Sequence, residues 1–220
     1  MSDGAPAIKA EDLPRVIPLF PLDGALVLPH TSRPFNIFEP RYLNMLDDVM
    51  AAERIIGMVQ TASGGSPDRP VLAHVGCAGR VTSFGETADG RYLITLTGLC
   101  RFRLQDELTS PTPYRQAKVD FLPYAQDLEP RPGDTGIDRQ RLMDALTPFL
   151  EHRSLRIDWG ALYGAPIAQL VDSLAMALPF DHPELQALLE AGDIDARRQT
   201  LITLLEIDGA EGGDEQTARQ

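Results

Sequence analysis

The residue types that could perform catalysis are spread along the sequence without the spacing that catalysis needs. The four histidines form no H-x-x-x-H or H-E-x-x-H pair, so no metal site is predicted. No G-x-S-x-G motif occurs, and Ser83 lacks the first glycine of that turn. A Ser–Lys dyad would recruit Lys118, but this residue falls within a predicted strand, and nothing around it signals the desolvated pocket that activates an amine. The residues therefore predict no catalytic centre, no metal and no cofactor.

Charge composition narrows the possible partners. The chain of 220 residues has 20 basic and 32 acidic residues, which gives a net charge of −12. Because binding to nucleic acid or to an anionic membrane depends on Lys and Arg, both kinds of partner are disfavoured. The two lysines, Lys9 and Lys118, lie outside any G-x-x-x-x-G-K-[ST] sequence, which argues against a P-loop ATPase. The adjacent carboxylates Asp47 and Asp48 are predicted to face solvent on the outer side of a helix.

Cysteine usage and the lack of long apolar segments predict a cytoplasmic protein. Cys77 and Cys100 lack C-x-x-C spacing and are expected to be buried free thiols in a reducing compartment. Residues 1–14 are polar, are predicted to be mobile and contain no secretory signal. No apolar run is long enough to span a membrane.

The segment F-E-P-R-Y at residues 38–42 is the densest cluster of unlike side chains. It lies where a predicted strand meets a predicted helix. Glu39 and Arg41 are predicted to lock this junction as an ion pair, with Phe38 and Tyr42 as packing residues. Direct contact of this cluster with a ligand is the alternative.

The single tryptophan is a second candidate for binding. Trp159 falls in a loop-like stretch between predicted helices. A lone tryptophan is most often a core anchor. Because tryptophan is enriched at interaction hot spots, an interface role is the alternative.

Short apolar runs predict strands in the first part of the chain. Val16–Phe20, Phe35–Phe38 and Ile55–Val59 are predicted strands, and Pro40 can occupy the first turn of an intervening helix. The glycine, proline and serine content of residues 61–70 predicts a loop.

Turn signals divide the strands that follow. Asp89-Gly90 is a hairpin signal that leads into a strand over Arg91–Thr97. Thr97-Gly98 is predicted to turn the chain into another strand over Leu99–Leu104, and Arg115–Phe121 is the last strand. Several short strands with close turns and one embedded helix predict a small, closed or nearly closed β-barrel.

Beyond a linker-like stretch, the apolar period becomes that of helices. Pro166 can begin a helix with one clean apolar stripe. Asp181 and Glu184 form a capping-box-like start for the next helix, and Asp193 or Asp195 caps the last one.

These patterns predict five consecutive parts and an α+β class. Residues 1–14 form a mobile N-terminus, 15–125 the barrel, 126–136 a linker, 137–208 a helical subdomain and 209–220 a polar tail.

Three segments carry a resemblance to a known family. They read V-I-P-L-F-P-L at Val16–Leu22, V-L-P at Val27–Pro29 and F-N-I-F-E-P-R-Y at Phe35–Tyr42. This order of motifs resembles the opening of the N-terminal, substrate-binding domain of Lon proteases, and the resemblance spans about residues 15–207. His30 stands where that family commonly has glycine. Because histidine tolerates a positive φ less well than glycine, we expect the local turn to differ.

The resemblance implies a fold and a kind of partner. The family fold is a PUA-like pseudo-β-barrel with an embedded short helix, followed by a C-terminal helical bundle, in agreement with the α+β class. The chain resembles stand-alone bacterial members, because it lacks sequences like the ATPase and Ser–Lys protease domains of a full Lon protease. The family implies recognition of protein substrates in proteolysis and self-association, without catalysis by this domain.

The function that these observations favour is non-catalytic recognition of polypeptide. An unfolded or partner polypeptide would bind through apolar walls and strand edges in a groove between barrel and helices. The candidate contacts are Phe35, Tyr42 and Trp159.

Two alternatives stay open at this point. An RNA- or nucleotide-binding role follows by analogy with PUA-like barrels. Arg101 and Arg103 share one face of their predicted strand, and with Arg80 and Arg91 they could form a local basic stripe. A hydrolase that uses a cleft between the two parts is the other alternative, although the sequence offers no nucleophile–base pair for it.

Overall fold

The structure is a computed structural model that describes residues 8–66, 69–131 and 139–217, with side chains as far as residue 210 except at residue 161. The chain divides into two compact units, one ending at Arg131 and the other beginning at Pro132. Parts of the predicted N-terminus and of the predicted linker lie outside the described residues.

The first unit contains eight strands and one α-helix. In chain order they are β1 (Val16–Pro21), β2 (Ser32–Ile37), α1 (Pro40–Met50), β3 (Ile55–Val59), β4 (Thr61–Ser66), β5 (Arg69–Leu72), β6 (Val75–Glu86), β7 (Tyr92–Leu108) and β8 (Gln116–Asp120). Two 3-10 segments flank them, at Ala10–Asp12 and Leu122–Leu128. Leu13 is buried in the core, so the described end of the predicted mobile segment is ordered.

Five strands close into a ring. β1 pairs parallel with β3, and the pairs β3–β6, β6–β7, β7–β8 and β8–β1 are antiparallel. The ring closes because β7 is long enough to pair with β6 along its length and with β8 at its end. β2 is added to the first half of β7, outside the ring. The predicted barrel with one embedded helix is therefore confirmed.

β7 continues through the position predicted to be a turn. A Cβ at Gly98 would lie 2.1 Å from the Leu28 carbonyl oxygen, so only glycine fits there. The Gly98 amide donates to the Thr31 carbonyl at 2.8 Å. This glycine therefore permits a close backbone approach inside a strand, and the predicted turn at Thr97-Gly98 is wrong. The hairpin at Asp89-Gly90 is confirmed, with Gly90 at a φ of 78° between β6 and β7.

Two further local predictions are corrected. Of residues 61–70, predicted as a loop, 61–66 form β4, 67 and 68 lie outside the described residues, and 69 and 70 begin β5, which pairs antiparallel with β4. Gly64 and Gly65 supply positive φ angles at the bulge in this pair. His30 adopts a φ of 64°, so the histidine takes the left-handed conformation that glycine favours and the turn need not differ. Histidine is one of the few residues other than glycine enriched in that region.

The two cysteines lie in the barrel walls as buried free thiols, as predicted. Cys77 is opposite Arg101 and Cys100 is opposite Ala78 in the register of β6 and β7. Since neighbouring positions on a strand point to opposite faces, the two thiols face away from each other. Burial raises the pKa of the Cys100 thiol to about 12, which keeps it protonated and unreactive at neutral pH.

The second unit is helical. Its helices are α2 (Arg139–His152), α3 (Trp159–Gly164), α4 (Ile167–Ala177), α5 (His182–Glu190) and α6 (Ile194–Thr217), and α6 packs against α2, α4 and α5. The predicted apolar stripe of α4 is buried. Within the described parts of the chain, no helix combines the length and apolar character that a membrane span requires.

Helix caps in this unit follow the predicted residues. The Asp181 side chain accepts from the Glu184 amide at 3.0 Å, and the Glu184 carboxylate accepts from the Asp181 amide at 2.7 Å. Asp193 accepts from the Ala196 amide at 2.8 Å, so Asp193 rather than Asp195 caps α6. α6 continues to Thr217, which includes most of the segment predicted to be a polar tail.

Candidate functional site

The junction between β2 and α1 positions the F-E-P-R-Y side chains. Pro40 occupies the first turn of α1, where its missing amide leaves no hydrogen bond unmade. The Arg41 guanidinium donates to Glu39 from Nε at 2.9 Å, and a second nitrogen lies 2.7 Å from the same carboxylate oxygen. Both side chains are about half exposed, so solvent screens this pair and its contribution to stability is small.

Tyr42 lies mainly in the core. Its side chain is 6 % exposed, and its ring meets Phe20 edge-on at a centroid distance of 4.6 Å. The Arg41 guanidinium lies 4.7 Å above the ring, and the hydroxyl donates to the Pro21 carbonyl at 3.4 Å. Burial raises the pKa of Tyr42 above its usual value of 10.0, so the hydroxyl stays a donor. Tyr42 therefore presents little surface to a partner.

Phe35 shares the same aromatic contact. It is half-buried on β2, and its ring meets Phe20 edge-on at 5.9 Å. The Arg33 guanidinium lies 6.0 Å from its ring centroid. Phe20 therefore brings together Phe35 and Tyr42, two of the three side chains predicted to contact polypeptide.

Phe38 behaves differently from its prediction as a packing residue. It directly follows β2 and is 64 % exposed. Because its ring is largely exposed, Phe38 adds little to the stability of the folded chain. Exposed apolar residues that form a patch mark interaction surfaces. The sequence could not separate Phe38 from Tyr42, because both are aromatic residues in one short motif.

A cleft of about 330 Å³ lies beside the junction. Two arginines, two tyrosines, three prolines and a threonine line it: Arg41, Arg115, Tyr42, Tyr114, Pro21, Pro70, Pro113 and Thr61. The Arg115 guanidinium donates to both oxygens of Glu107 and to the Pro70 carbonyl. The hydrogen bonds from Arg115 hold the pKa of Glu107 below its usual value.

Two hydroxyls in this cleft also already donate hydrogen bonds to carboxylates. Tyr114 donates to Asp48 at 2.6 Å, and Thr61 donates to Asp23 at 2.9 Å. The walls of the cleft are thus apolar and aromatic, and its arginines are already paired with carboxylates. This arrangement suits the binding of a ligand by surface contact better than it suits the cleavage of a bond. Throughout the described ranges, no group of three or more His, Cys, Asp or Glu side chains could hold a metal ion.

Trp159 belongs to the second unit. It begins α3, which corrects its prediction as a loop residue, and it is 37 % exposed rather than a buried core anchor. Its ring lies 6.5 Å from that of Tyr163, which is more exposed still. Arg139 donates to the carbonyls of Leu162 and Tyr163 and so caps the end of this short helix.

The basic stripe predicted for nucleic acid is not formed as expected. Arg101 is 1 % exposed and donates to Asp127 from its backbone amide at 3.0 Å, from Nε at 2.8 Å and from a terminal nitrogen at 2.7 Å. Arg91 pairs with Asp89 at 2.9 Å. Arg103 is exposed although it shares a strand with Arg101. Asp127, assigned by the sequence to the linker, instead lies in the 3-10 segment that covers Arg101.

Comparisons with known proteins agree with this architecture. The family model of the ATP-dependent protease La (LON) substrate-binding domain matches residues 16–206. The structure resembles the Lon N-terminal domain protein from Xanthomonas campestris, with a TM-score of 0.61 and 24 % identity over 86 % of this chain and 97 % of that one. It also resembles the N-terminal domain of Mycobacterium avium complex Lon protease, with a TM-score of 0.58 and 17 % identity over the same shares.

Full-length relatives match over a quarter of their length. Lon protease 2 of Myxococcus xanthus is 26 % identical over 204 residues, which are 90 % of this chain and 24 % of that protein. Lon protease of Syntrophus aciditrophicus is 26 % identical over 207 residues, which are 90 % of this chain and 25 % of that protein. The chain thus spans about a quarter of the length of these relatives, and the domain it matches is the substrate-binding domain. The chain belongs to the Lon substrate-binding domain family.

Proposed function

We propose that this protein is a non-catalytic module that recognises polypeptide and binds unfolded or extended segments of its partners. The family is named for binding substrates of a protease, which supports a protein partner. The observation that carries the proposal is Phe38, an exposed aromatic side chain in the F-E-P-R-Y segment, on which the family resemblance partly rests. The paired charges of the neighbouring cleft support binding without chemistry.

Direct contacts are proposed for three side chains. Phe38 supplies an open aromatic face just after β2 in the first unit, and Phe35, within β2, has a partly open ring. Trp159 supplies an open aromatic face in the second unit. Tyr42, the other predicted contact, supports the site chiefly by fixing Phe20 and Arg41.

The test is binding of an unfolded protein followed by fluorescence anisotropy. The probe is fluorescein-labelled α-lactalbumin that has been reduced and carboxamidomethylated, compared with the same protein in its folded form. We expect the chain to bind the unfolded probe more tightly, and Phe38→Ala to weaken that binding about tenfold, as for a hot-spot aromatic. Leu122→Ala, at a side chain that is 69 % exposed elsewhere in the unit, is the matched control and should leave affinity unchanged.

Two outcomes would contradict the proposal. The first is equal affinity for folded and unfolded probe. The second is cleavage of casein by the purified chain, with or without ATP, because the proposal assigns no catalysis to this domain. Self-association, which the family resemblance implies, is part of the proposal and is tested by sedimentation equilibrium. A cytoplasmic location is proposed on the buried free thiols Cys77 and Cys100.

A further inference from the structure

The second edge of β2 is open. Among the described strands, β2 pairs with β7 and with no other. The hydrogen bond from the Gly98 amide to the Thr31 carbonyl shows which β2 residues direct their backbone groups toward β7 and which direct them away from it. Since hydrogen-bonded and non-hydrogen-bonded positions alternate, the backbone groups of Ser32, Pro34 and Asn36 point away from β7.

Pro34 is consistent with this alternation. Proline has no amide hydrogen and is tolerated on an edge strand only where the amide would face outward. The hydroxyls of Ser32 and Thr97 approach to 2.8 Å, as expected for side chains of a close, non-hydrogen-bonded pair. The open edge therefore offers the amides of Ser32 and Asn36 and the carbonyls of Ser32, Pro34 and Asn36.

The sheet face beside this edge carries no charged side chain on its two outer strands, β2 and β7. These residues are Ser32, Pro34 and Asn36 of β2 and Leu93, Thr95 and Thr97 of β7. On β6, Gly85 lies opposite Leu93 and Ser83 opposite Thr95, whereas Arg80 lies opposite Thr97 at the far end. The Thr97 hydroxyl of β7 lies within hydrogen-bonding distance of Ser32 on β2 and, at 3.0 Å, of Thr82 on β6, so side-chain hydroxyls connect all three strands. In a chain of net charge −12, two outer strands without a charged side chain on this face fit an uncharged partner.

One exposed apolar side chain lies at the end of this face, and a second follows β2 directly. Leu93 is opposite Asn36 on one side and Gly85 on the other, and it is 48 % exposed because glycine leaves it uncovered. Phe38 is the first residue after the end of β2 and is 64 % exposed. An additional strand on β2 would therefore find apolar contacts as well as backbone partners.

We propose that β2 accepts an extended, uncharged segment of a polypeptide as an additional strand, with Leu93 and Phe38 as side-chain contacts. This inference rests on the proposed function and names its binding mode, in which main-chain hydrogen bonds supply affinity. A second copy of the chain fits less well. Antiparallel pairing of two β2 strands through their outward positions Ser32, Pro34 and Asn36 would set Pro34 opposite Pro34 and would bring together two chains of net charge −12.

The test uses a fluorescein-labelled peptide of about ten alternating valine, threonine and serine residues, long enough to cover the strand. A second peptide of the same sequence carries N-methyl groups on all its amides, which removes the amide hydrogens from both of its edges. Pro34→Thr adds an amide to the open edge and should tighten binding of the unmethylated peptide about fivefold, the value of one net hydrogen bond. Leu93→Lys should weaken it about tenfold, and Leu122→Lys is the control that adds the same charge elsewhere.

Each outcome decides the proposal. Loss of binding on N-methylation together with tighter binding by Pro34→Thr supports it. Equal binding of both peptides, or unchanged affinity of Pro34→Thr with its circular dichroism unaltered, overturns it. Self-association of Pro34→Thr without tighter peptide binding would assign the edge to a second copy and also overturn it. If unfolded α-lactalbumin binds and the peptide does not, the proposed function stands and this edge is not its site; if neither binds, the proposed function itself fails.

Discussion

The hydroxyl of Tyr114 donates to the Asp48 carboxylate at 2.6 Å and so ties α1 to the segment before β8. Tyr92, at the start of β7, makes the corresponding bond to Asp47 at 2.9 Å. The adjacent carboxylates, predicted to be only solvated, therefore hold α1 against two parts of the barrel. α1 is the helix that carries Arg41 and Tyr42, so these bonds also position the junction.

Tyr114→Phe should lower the free energy of unfolding by about 1–2 kcal/mol, because the bond joins a buried hydroxyl to a charged acceptor. The measurement is the midpoint of urea unfolding followed by circular dichroism. Tyr163→Phe, at an exposed ring, is the control and should leave the midpoint unchanged. Equal midpoints for Tyr114→Phe and wild type would show that the bond contributes nothing.

Cys100 should make the first unit less stable in alkali. Burial raises the pKa of this thiol from 9.0 to about 12, so above 9.0 the unfolded chain releases a proton that the folded chain retains. Stability from this group is therefore complete below 9.0 and is lost as the pH rises toward about 12. Urea midpoints at about pH 8 and about pH 11 should differ more for wild type than for Cys100→Ala. An equal loss in both would contradict this assignment.

Asp127→Asn should be among the most damaging single changes in the barrel. It removes the charge that balances the buried Arg101 guanidinium, and leaving such a charge uncompensated destabilises a protein by about 3–5 kcal/mol. Thermal unfolding provides the measurement. Asp89→Asn, which disrupts the exposed pair with Arg91, should produce no measurable change. Comparable effects of the two variants would show that burial does not decide the outcome.

Asp208 should contribute to stability in a pH-dependent way in the second unit. It accepts from the Arg153 side chain and lies 3.0 Å from His152 Nδ1, which joins the end of α2 to α6. The hydrogen bond from Arg153 holds the pKa of Asp208 below its usual 3.8, so the stabilisation is present above that value and is lost as the pH falls below it.

Substitution of Asp208 separates this effect from general acid sensitivity. At neutral pH, Asp208→Asn should lower the urea midpoint of the second unit. In acid, where the wild-type carboxyl is protonated, the two midpoints should converge. A difference that persists unchanged to about pH 2 would show that packing of the side chain, rather than its charge, is responsible. Glu206→Gln, at an exposed carboxylate of the same helix, is the matched control.

Local signals in the sequence were sufficient for several elements. Pro40 at a helix start, the Asp181–Glu184 capping box and the Asp89-Gly90 hairpin all act within a few residues of themselves, so short-range chemistry determines them. The order of strands and helices likewise allowed the α+β barrel-and-bundle class to be predicted.

The tertiary structure decided what depends on distant residues. Glycine is required at Gly98, within the continuous strand β7, because the Leu28 carbonyl lies too close for a Cβ. Arg101 can be buried because Asp127, from a distant segment, pairs with its guanidinium. The same applies to the aromatic residues of the junction. Tyr42 is buried because its ring packs on Phe20, a contact across 22 positions of sequence that no local pattern encodes, whereas Phe38 in the same motif is open.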